Sequence, residues 1–415
     1  MTEHITIHSS PSLTVAQASE LLGELVSTVT DFEEVSIADA LNRVIAQDVI
    51  SPMDVPPHDN SAMDGYAFDG SQLKHAHHLT LTVVGTALAG KAWQGPIKKG
   101  ECIRIMTGAV MPAGLNTVVP QEFCTLTNQQ IRFDTTLVSL GQNRRMRGED
   151  LQKNSPAVHR GAWVKPAVIG LLASLGLTTV KVVKRLKVAY FSTGDEILSL
   201  GEAPREGAVY DSNRYTLMGL LKDLGCTVID LGLVRDNPNS LENTLLQAVQ
   251  SADIVMTSGG VSGGDADFTK AVLQKLGKVD FWKIAIKPGR PMAVGQLEIE
   301  GHRALLFGLP GNPVAAMITF LMFVKPALLK MMGNTDAPPP LLRAKAQDFI
   351  SKKPGRTEYQ RGVASRNESG ELQVTTTGNQ GSGILSSMVQ ANCLIVLAHA
   401  QSSAQVGDWV DVLML

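Results

Sequence analysis

The stretch MTSGGVSGGDADFTK, residues 256–270, sets a run of glycines and two aspartates between an apolar segment and a helix-like one. Glycine lets backbone amides approach an anion closely, so Gly259 and Gly260, directly after the strand-like DIVMTS, suit a phosphate cradle. Gly263 and Gly264 allow a second bend before Asp265, which can cap the following helix. A plain acidic corner has the same composition. Two more turns raise the same possibility. STGDEIL, 192–198, places Asp195 and Glu196 beside Thr193 and Gly194, and GLPGNPVAA, 308–316, offers Gly308, Gly311 and a helix start at Asn312 and Pro313. IKPGRPMAVG, 286–295, adds Lys287 and Arg290 on a turn stiffened by Pro288, Gly289 and Pro291. A point charge next to a bidentate fork suits a small oxyanion, though a solvated basic turn reads the same way. Carboxylates repel a phosphate unless a hard cation lies between them. Glu196, Asp265 and Asp267 therefore imply Mg²⁺ or another divalent ion if these turns share one pocket, and otherwise only cap helices.

Such turns need a sheet whose strand ends bring them together. From Lys187 onward strands and helices alternate: KVAYFST, DSNRYTLMGLLKDLG, CTVIDLGLV, NSLENTLLQAVQSA, DIVMTSGG, DADFTKAVLQKLG, VDFWKIAI, MAVGQL, RALLFGL, then a helix from Pro313. This predicts a largely parallel sheet covered on both faces, with ligands beyond the carboxyl ends of its strands. The expected domains are a central α/β unit at 183–333, a β-rich insert at 51–144 and a small C-terminal β-barrel or sandwich at 338–415. A discontinuous mixed α/β unit from 1–50 and 145–182 completes the chain. Within it, LTVAQASELLGELV and SIADALNRVIA read as one or two amphipathic helices. NTDAPPP ends the α/β unit, because consecutive prolines cannot continue a helix.

Composition narrows the function. The 415 residues carry 37 Lys and Arg against 39 Asp and Glu, a net charge of −2, so no basic face for nucleic acid or membrane is expected. The polar N-terminus and the lack of an 18-residue apolar run predict a cytoplasmic protein. Cys102, Cys124, Cys226 and Cys393 lack metal or disulfide spacing and read as buried, inert thiols. His75, His77 and His78 read as a solvated loop rather than a metal site.

Taken in order, DNSAMDGYA, IMTGAVMP, RGED, STGDE, SGGVSGGDADFTK, IKPGRPMA and GLPGNP closely resemble the MoeA family, the molybdopterin molybdenumtransferases, which are related to the gephyrin E domain. The resemblance implies a central three-layer α/β/α domain like that of MogA and MoaB. It also implies a homodimer that releases AMP from adenylylated molybdopterin with a divalent ion and inserts molybdate into the dithiolene. DNSAMDG of one subunit would face the α/β domain of the other. The catalytic acids it implies are Asp64, Asp150, Glu196, Asp236 and Asp267, with Glu196, Asp265 and Asp267 at the metal. Substrate would meet Thr107, Thr193, Gly194, Ser258, Gly259, Gly260, Gly263, Pro310, Gly311, Asn312 and Pro313. Molybdate would meet Lys287, Arg290, Arg361 in EYQRG and Ser386 in ILSS, with Ser382 and Ser387 close by. Contacts with the adenylyltransferase and with acceptor molybdoenzymes are further expectations.

Two other classes compete. A molybdopterin adenylyltransferase has a similar glycine turn, but the β insert, the DNSAMDG loop and the C-terminal β unit weigh against it. A non-catalytic scaffold fits poorly with the retention of every acid and cation named above.

Overall fold

The computed structural model describes residues 12–75, 77–260 and 267–415. Gly263 and Asp265 lie outside the described residues, as does the side chain of Asp267.

The central sheet has six strands in the order Thr227–Val234, Lys187–Thr193, Ile254–Ser258, His302–Leu309, Pro291–Ile299, Gly277–Lys283. Strand Lys187–Thr193 shows why it is buried on both faces. Val188 and Tyr190 join one core with Leu217, Leu221, Ile318 and Phe323, while Ala189 and Phe191 join another with Leu241, Leu245 and Leu273. Alternate side chains point to opposite faces, so an uninterrupted apolar run requires a helix layer on each side.

The first four strands are parallel, and Pro291–Ile299 runs antiparallel to both of its neighbours, so that Gly277–Lys283 again runs with the first four. Short connections force that reversal, since a parallel crossover needs a dozen or more residues. Glu300 and Gly301, at φ 50° and 83°, make the two-residue turn between Pro291–Ile299 and His302–Leu309. Pro313–Met331 is a single 19-residue helical run, apolar and long enough by composition to cross a membrane, yet 61% of its window is buried against the sheet.

Segments on either side of the insert meet: Phe32–Ser36 pairs antiparallel with Thr179–Val183, and Val49–Ile50 with Pro156–Val158. Helix Val15–Leu25 begins with a capping box in which Thr14 and Gln17 bond reciprocally. The second expected helix, SIADALNRVIA, is absent. Ser36 caps a short 3₁₀ turn at Ile37–Asp39, Asn42 has φ 58°, and Val44 and Ile45 form β-bridges with Trp163 and Val182. The β-branched residues there favour the pleated surface over a helix. The insert is a six-stranded sheet in the order Thr117–Pro120, Gly65–Phe68, Glu101–Ile105, His78–Ala87, Gln130–Asp134, Thr125–Thr127.

At the C-terminus, Thr357–Arg366 pairs with both Leu372–Thr376 and Cys393–Leu397, closing a barrel with Leu342–Ala346 and Trp409–Met414. Closure removes both sheet edges and encloses a core of Ala344, Val374, Ile395 and Val412. The barrel docks beside the central sheet through Ile286–Lys287, a two-residue strand that pairs with Thr357 and Glu358. The four cysteines are unpaired, and burial pushes the thiols of Cys102, Cys124 and Cys226 up to about 12, which keeps them protonated.

Candidate active site

Ser192, Ser258 and Leu309 are register partners at the strand ends, so the turns that follow them converge. Gly311 and Gly259 are close enough that a Cβ on Gly311 would lie 3.8 Å from Gly259 Cα, and the Gly259 amide donates to the Leu309 carbonyl at 3.1 Å. Two glycines cannot be replaced without moving backbone or an acid. Gly259 has φ 90°, and a Cβ there would approach the Thr193 carbonyl oxygen to 2.5 Å. Gly194 has φ 140°, and its Cβ would approach Glu196 Oε2 to 2.5 Å.

These turns form one wall of a cleft of about 910 Å³ between the central sheet and the barrel. Of the expected residues, Thr193, Glu196, Ser258, Gly259, Lys287, Arg290, Pro310, Gly311, Asn312 and Pro313 line it. At its floor the buried Tyr190 hydroxyl lies 2.6 Å from Ser258 Oγ and 2.9 Å from Ser192 Oγ; burial raises its pKa, so the phenol stays neutral. Thr193 Oγ1, Asp211 Oδ2 and Asn213 Oδ1, all on cleft-lining residues, are buried without a hydrogen-bond partner. Such orphaned groups mark a place where a ligand or water completes the network.

Glu196 is an exposed carboxylate at the cleft. Its turn is anchored from behind: Arg235 Nη1 donates to the carbonyls of Asp195 and Ile197, each at 3.1 Å, and Arg205 Nη2 also donates to the Asp195 carbonyl. Asp236 does not line the cleft; its amide donates to Asp195 Oδ1 at 3.2 Å. Among the described residues no three His, Cys, Asp or Glu side chains stand together as a metal site. Glu196 is thus the one acid of the expected metal set whose carboxylate is placed.

Gly260, at φ 65°, and Gly194 belong to the same turns without lining the cleft. Asp64, Thr107 and Asp150 belong to other parts of the chain and also stand away from it. Asp64 Oδ1 accepts from the Thr107 amide and hydroxyl, both at 2.7 Å, and these bonds hold its carboxyl below the usual range. Asp150 is exposed, and its amide donates to the Val55 carbonyl.

Arg361 and Ser386 are placed differently from the oxyanion expectation. Arg361 is 1% exposed and does not line the cleft. Its Nε donates to Ser387 Oγ at 2.9 Å, and its Nη2 to the carbonyls of Gly381 at 3.0 Å and Asn379 at 3.4 Å. Ser386 points outward on the short helix Ser386–Gln390, while Ser382 reaches the cleft wall. Gly362 and Ala364 on the same strand face the barrel core, so Arg361 lies on the barrel's outer face, where the 379–387 segment covers it.

Sequence reasoning missed Asp211, Asn213, Arg356 and Gln380, all cleft-lining, and named Ser382, also cleft-lining, only as a neighbour of Ser386. Asp211 caps helix Ser212–Asp223 at the same sheet edge as the glycine turns, so YDSNRY carried the signal. Arg356 follows Gly355, at φ 101°, and becomes a cleft cation only through barrel docking, which local sequence does not report.

Residues 13–176 match the MoeA N-terminal region (domain I and II), 189–330 the probable molybdopterin binding domain, and 343–415 the MoeA C-terminal region (domain IV). The chain is similar to a molybdopterin molybdenumtransferase of Haemophilus influenzae, at 43% identity over 401 residues, covering 96% of this chain and 98% of that protein. A Nostoc protein of the same name is 33% identical over 414 residues, with 98% and 94% coverage. The crystal structure of a molybdopterin biosynthesis moeA protein from Pyrococcus horikoshii OT3 superposes with a TM-score of 0.83 at 28% identity, covering 98% of this chain and 100% of that one.

Proposed function

Because the chain belongs to the MoeA family of molybdopterin molybdenumtransferases, we propose that this cleft is where adenylylated molybdopterin and molybdate meet. The protein is a transferase of molybdenum cofactor biosynthesis that inserts molybdate, and the adenylyltransferase alternative is not favoured. One observation carries the site assignment: glycine turns, a carboxylate and two turn-borne cations line a single cleft. The amides of the turns at Gly194, Gly259 and Gly311 hold the phosphates, and Lys287 and Arg290 hold molybdate. Glu196 serves hydrolysis of the phosphoanhydride, in which water attacks phosphorus and AMP leaves; the dithiolene, which does not carry the adenylate, takes the molybdenum as displaced molybdate oxygens leave as water with the thiol protons. Arg361 supports the cleft wall from behind instead of meeting molybdate itself. The Mg²⁺ expectation rests on Glu196 together with Asp265 and Asp267. Its test is whether a chelator stops AMP release and added Mg²⁺ restores it.

Truncating a cation that touches a bound oxyanion removes about 1.5–3 kcal/mol, a charge-assisted hydrogen bond. Lys287→Ala should therefore raise the molybdate KM about tenfold to more than a hundredfold, with pterin affinity near wild type by titration calorimetry. Collapse of pterin affinity at an unchanged molybdate KM would move Lys287 to the phosphate site.

Asp64 and Asp150 stand off the cleft, and this supports a homodimer in which a partner subunit supplies them. Mixing Asp64→Ala subunits with Glu196→Ala subunits should restore activity, because one cleft of each heterodimer keeps both acids. No recovery in isolated heterodimers would contradict the shared site.

A further inference from the structure

Lys287 sits on the central domain's turn, but its ammonium is held by the barrel. Ile286 and Lys287 pair in parallel register with Thr357 and Glu358. Glu358 is 1% exposed, and its Oε2 accepts from Lys287 Nζ at 3.0 Å and from Gln360 Nε2 at 3.1 Å. Gln360 is itself buried and fixed by a bond to the Ser351 carbonyl at 2.9 Å. The Lys287 side chain stays 43% exposed and lines the cleft, whereas Glu358 lies behind the wall.

A carboxylate this deep is tolerated only when paired, and the pair acts in both directions. Glu358 gains a counter-charge. Lys287 loses the rotamer freedom that its flexible stem would otherwise have, and two of its three N–H donors remain for a ligand.

We propose that Glu358 is a positioning residue: from within the barrel it holds Lys287 Nζ at the oxyanion side of the cleft, so that the C-terminal domain sets the molybdate affinity of the central one. This rests on the reading of Lys287 as an oxyanion ligand. Gln360 completes the device by occupying the same carboxylate oxygen and keeping the carboxylate from rotating. The arrangement places one partner on each domain, and any shift of barrel against sheet moves the ammonium.

The test is a double-mutant cycle read as AMP release from adenylylated molybdopterin against molybdate concentration, with melting temperature as control. Glu358→Ala should raise the molybdate KM about tenfold by freeing the ammonium, with kcat within about twofold. Glu358→Gln should recover most of that loss, because its amide oxygen accepts the same bond. In a Lys287→Ala background, Glu358→Ala should add nothing further. Independent, multiplying effects would overturn the proposal. So would a fall in kcat and melting temperature at unchanged KM, or a Glu358→Gln variant as impaired as Glu358→Ala. If Glu358→Ala does not fold, Glu358→Asp carries the same test, since it keeps the charge but withdraws the carboxylate from Nζ. A wild-type molybdate KM in Lys287→Ala would instead sink the oxyanion reading itself.

Discussion

Glu196→Ala is expected to slow AMP release by about 10²–10³-fold, the range for losing one well-placed charge or dipole in a transition state. A carboxylate at an anion-binding cleft serves phosphoanhydride cleavage in one of two ways: it takes a proton from the attacking water, or it holds a hard cation. Alanine removes both. Binding of the adenylylated pterin should change far less, because Gly259 and the Asn312 helix start are untouched and a negative charge next to a phosphate does not favour the ground state. Glu196→Gln keeps the shape and one hydrogen-bonding oxygen, so it should be nearly as slow as alanine. Single-turnover AMP release separates chemistry from binding, and a wild-type rate in either variant would remove Glu196 from the chemistry.

Arg361→Ala should fail in a different way. The guanidinium is 1% exposed and donates to Ser387 Oγ and the Gly381 and Asn379 carbonyls. Its removal strips those acceptors and leaves a void, because Arg361 is the largest fully buried side chain among the described residues. The expected cost is about 3–5 kcal/mol, with the gain from no longer burying a charge offsetting part of a larger loss. For a unit of the barrel's size this should lower its melting transition by about 10 °C or more. The wall segment at Gln380–Gly383 would loosen, so activity falls with stability. Arg361→Lys should recover little, since a point charge cannot reproduce a planar fork that meets three acceptors. Calorimetry of the barrel transition checks this. An unchanged melt combined with a raised molybdate KM would make Arg361 a ligand after all.

The contrast between these two residues shows what was legible in the sequence. Glu196 follows a strand with the unbroken apolar run Val188–Phe191, so the strand end, the turn and the exposure of its acid could be read locally. The same holds for the turns after Ser258 and Leu309. Arg361 could not be placed this way, because it sits on the barrel's outer face and is buried only by the 379–387 segment that folds over it, a long-range packing that local sequence does not report. The two-residue strand Ile286–Lys287 is too short to leave a pattern, and yet it joins sheet to barrel and brings Glu358 under Lys287. Ser382, Ser386 and Ser387 are close together in one loop and chemically alike. The Val314 amide donates to the Ser382 carbonyl at 3.0 Å and ties Ser382 to the glycine-turn side of the cleft. Reversal of Pro291–Ile299 was likewise hidden, because an apolar run states burial but not direction.

The most direct test of the central claim is nucleotide accounting with purified protein, adenylylated molybdopterin and molybdate. The cleft described here predicts AMP released in step with molybdenum incorporated, dependent on molybdate and on Glu196. Consumption of ATP with free molybdopterin, and no AMP from the adenylylated compound when molybdate is added, would contradict it.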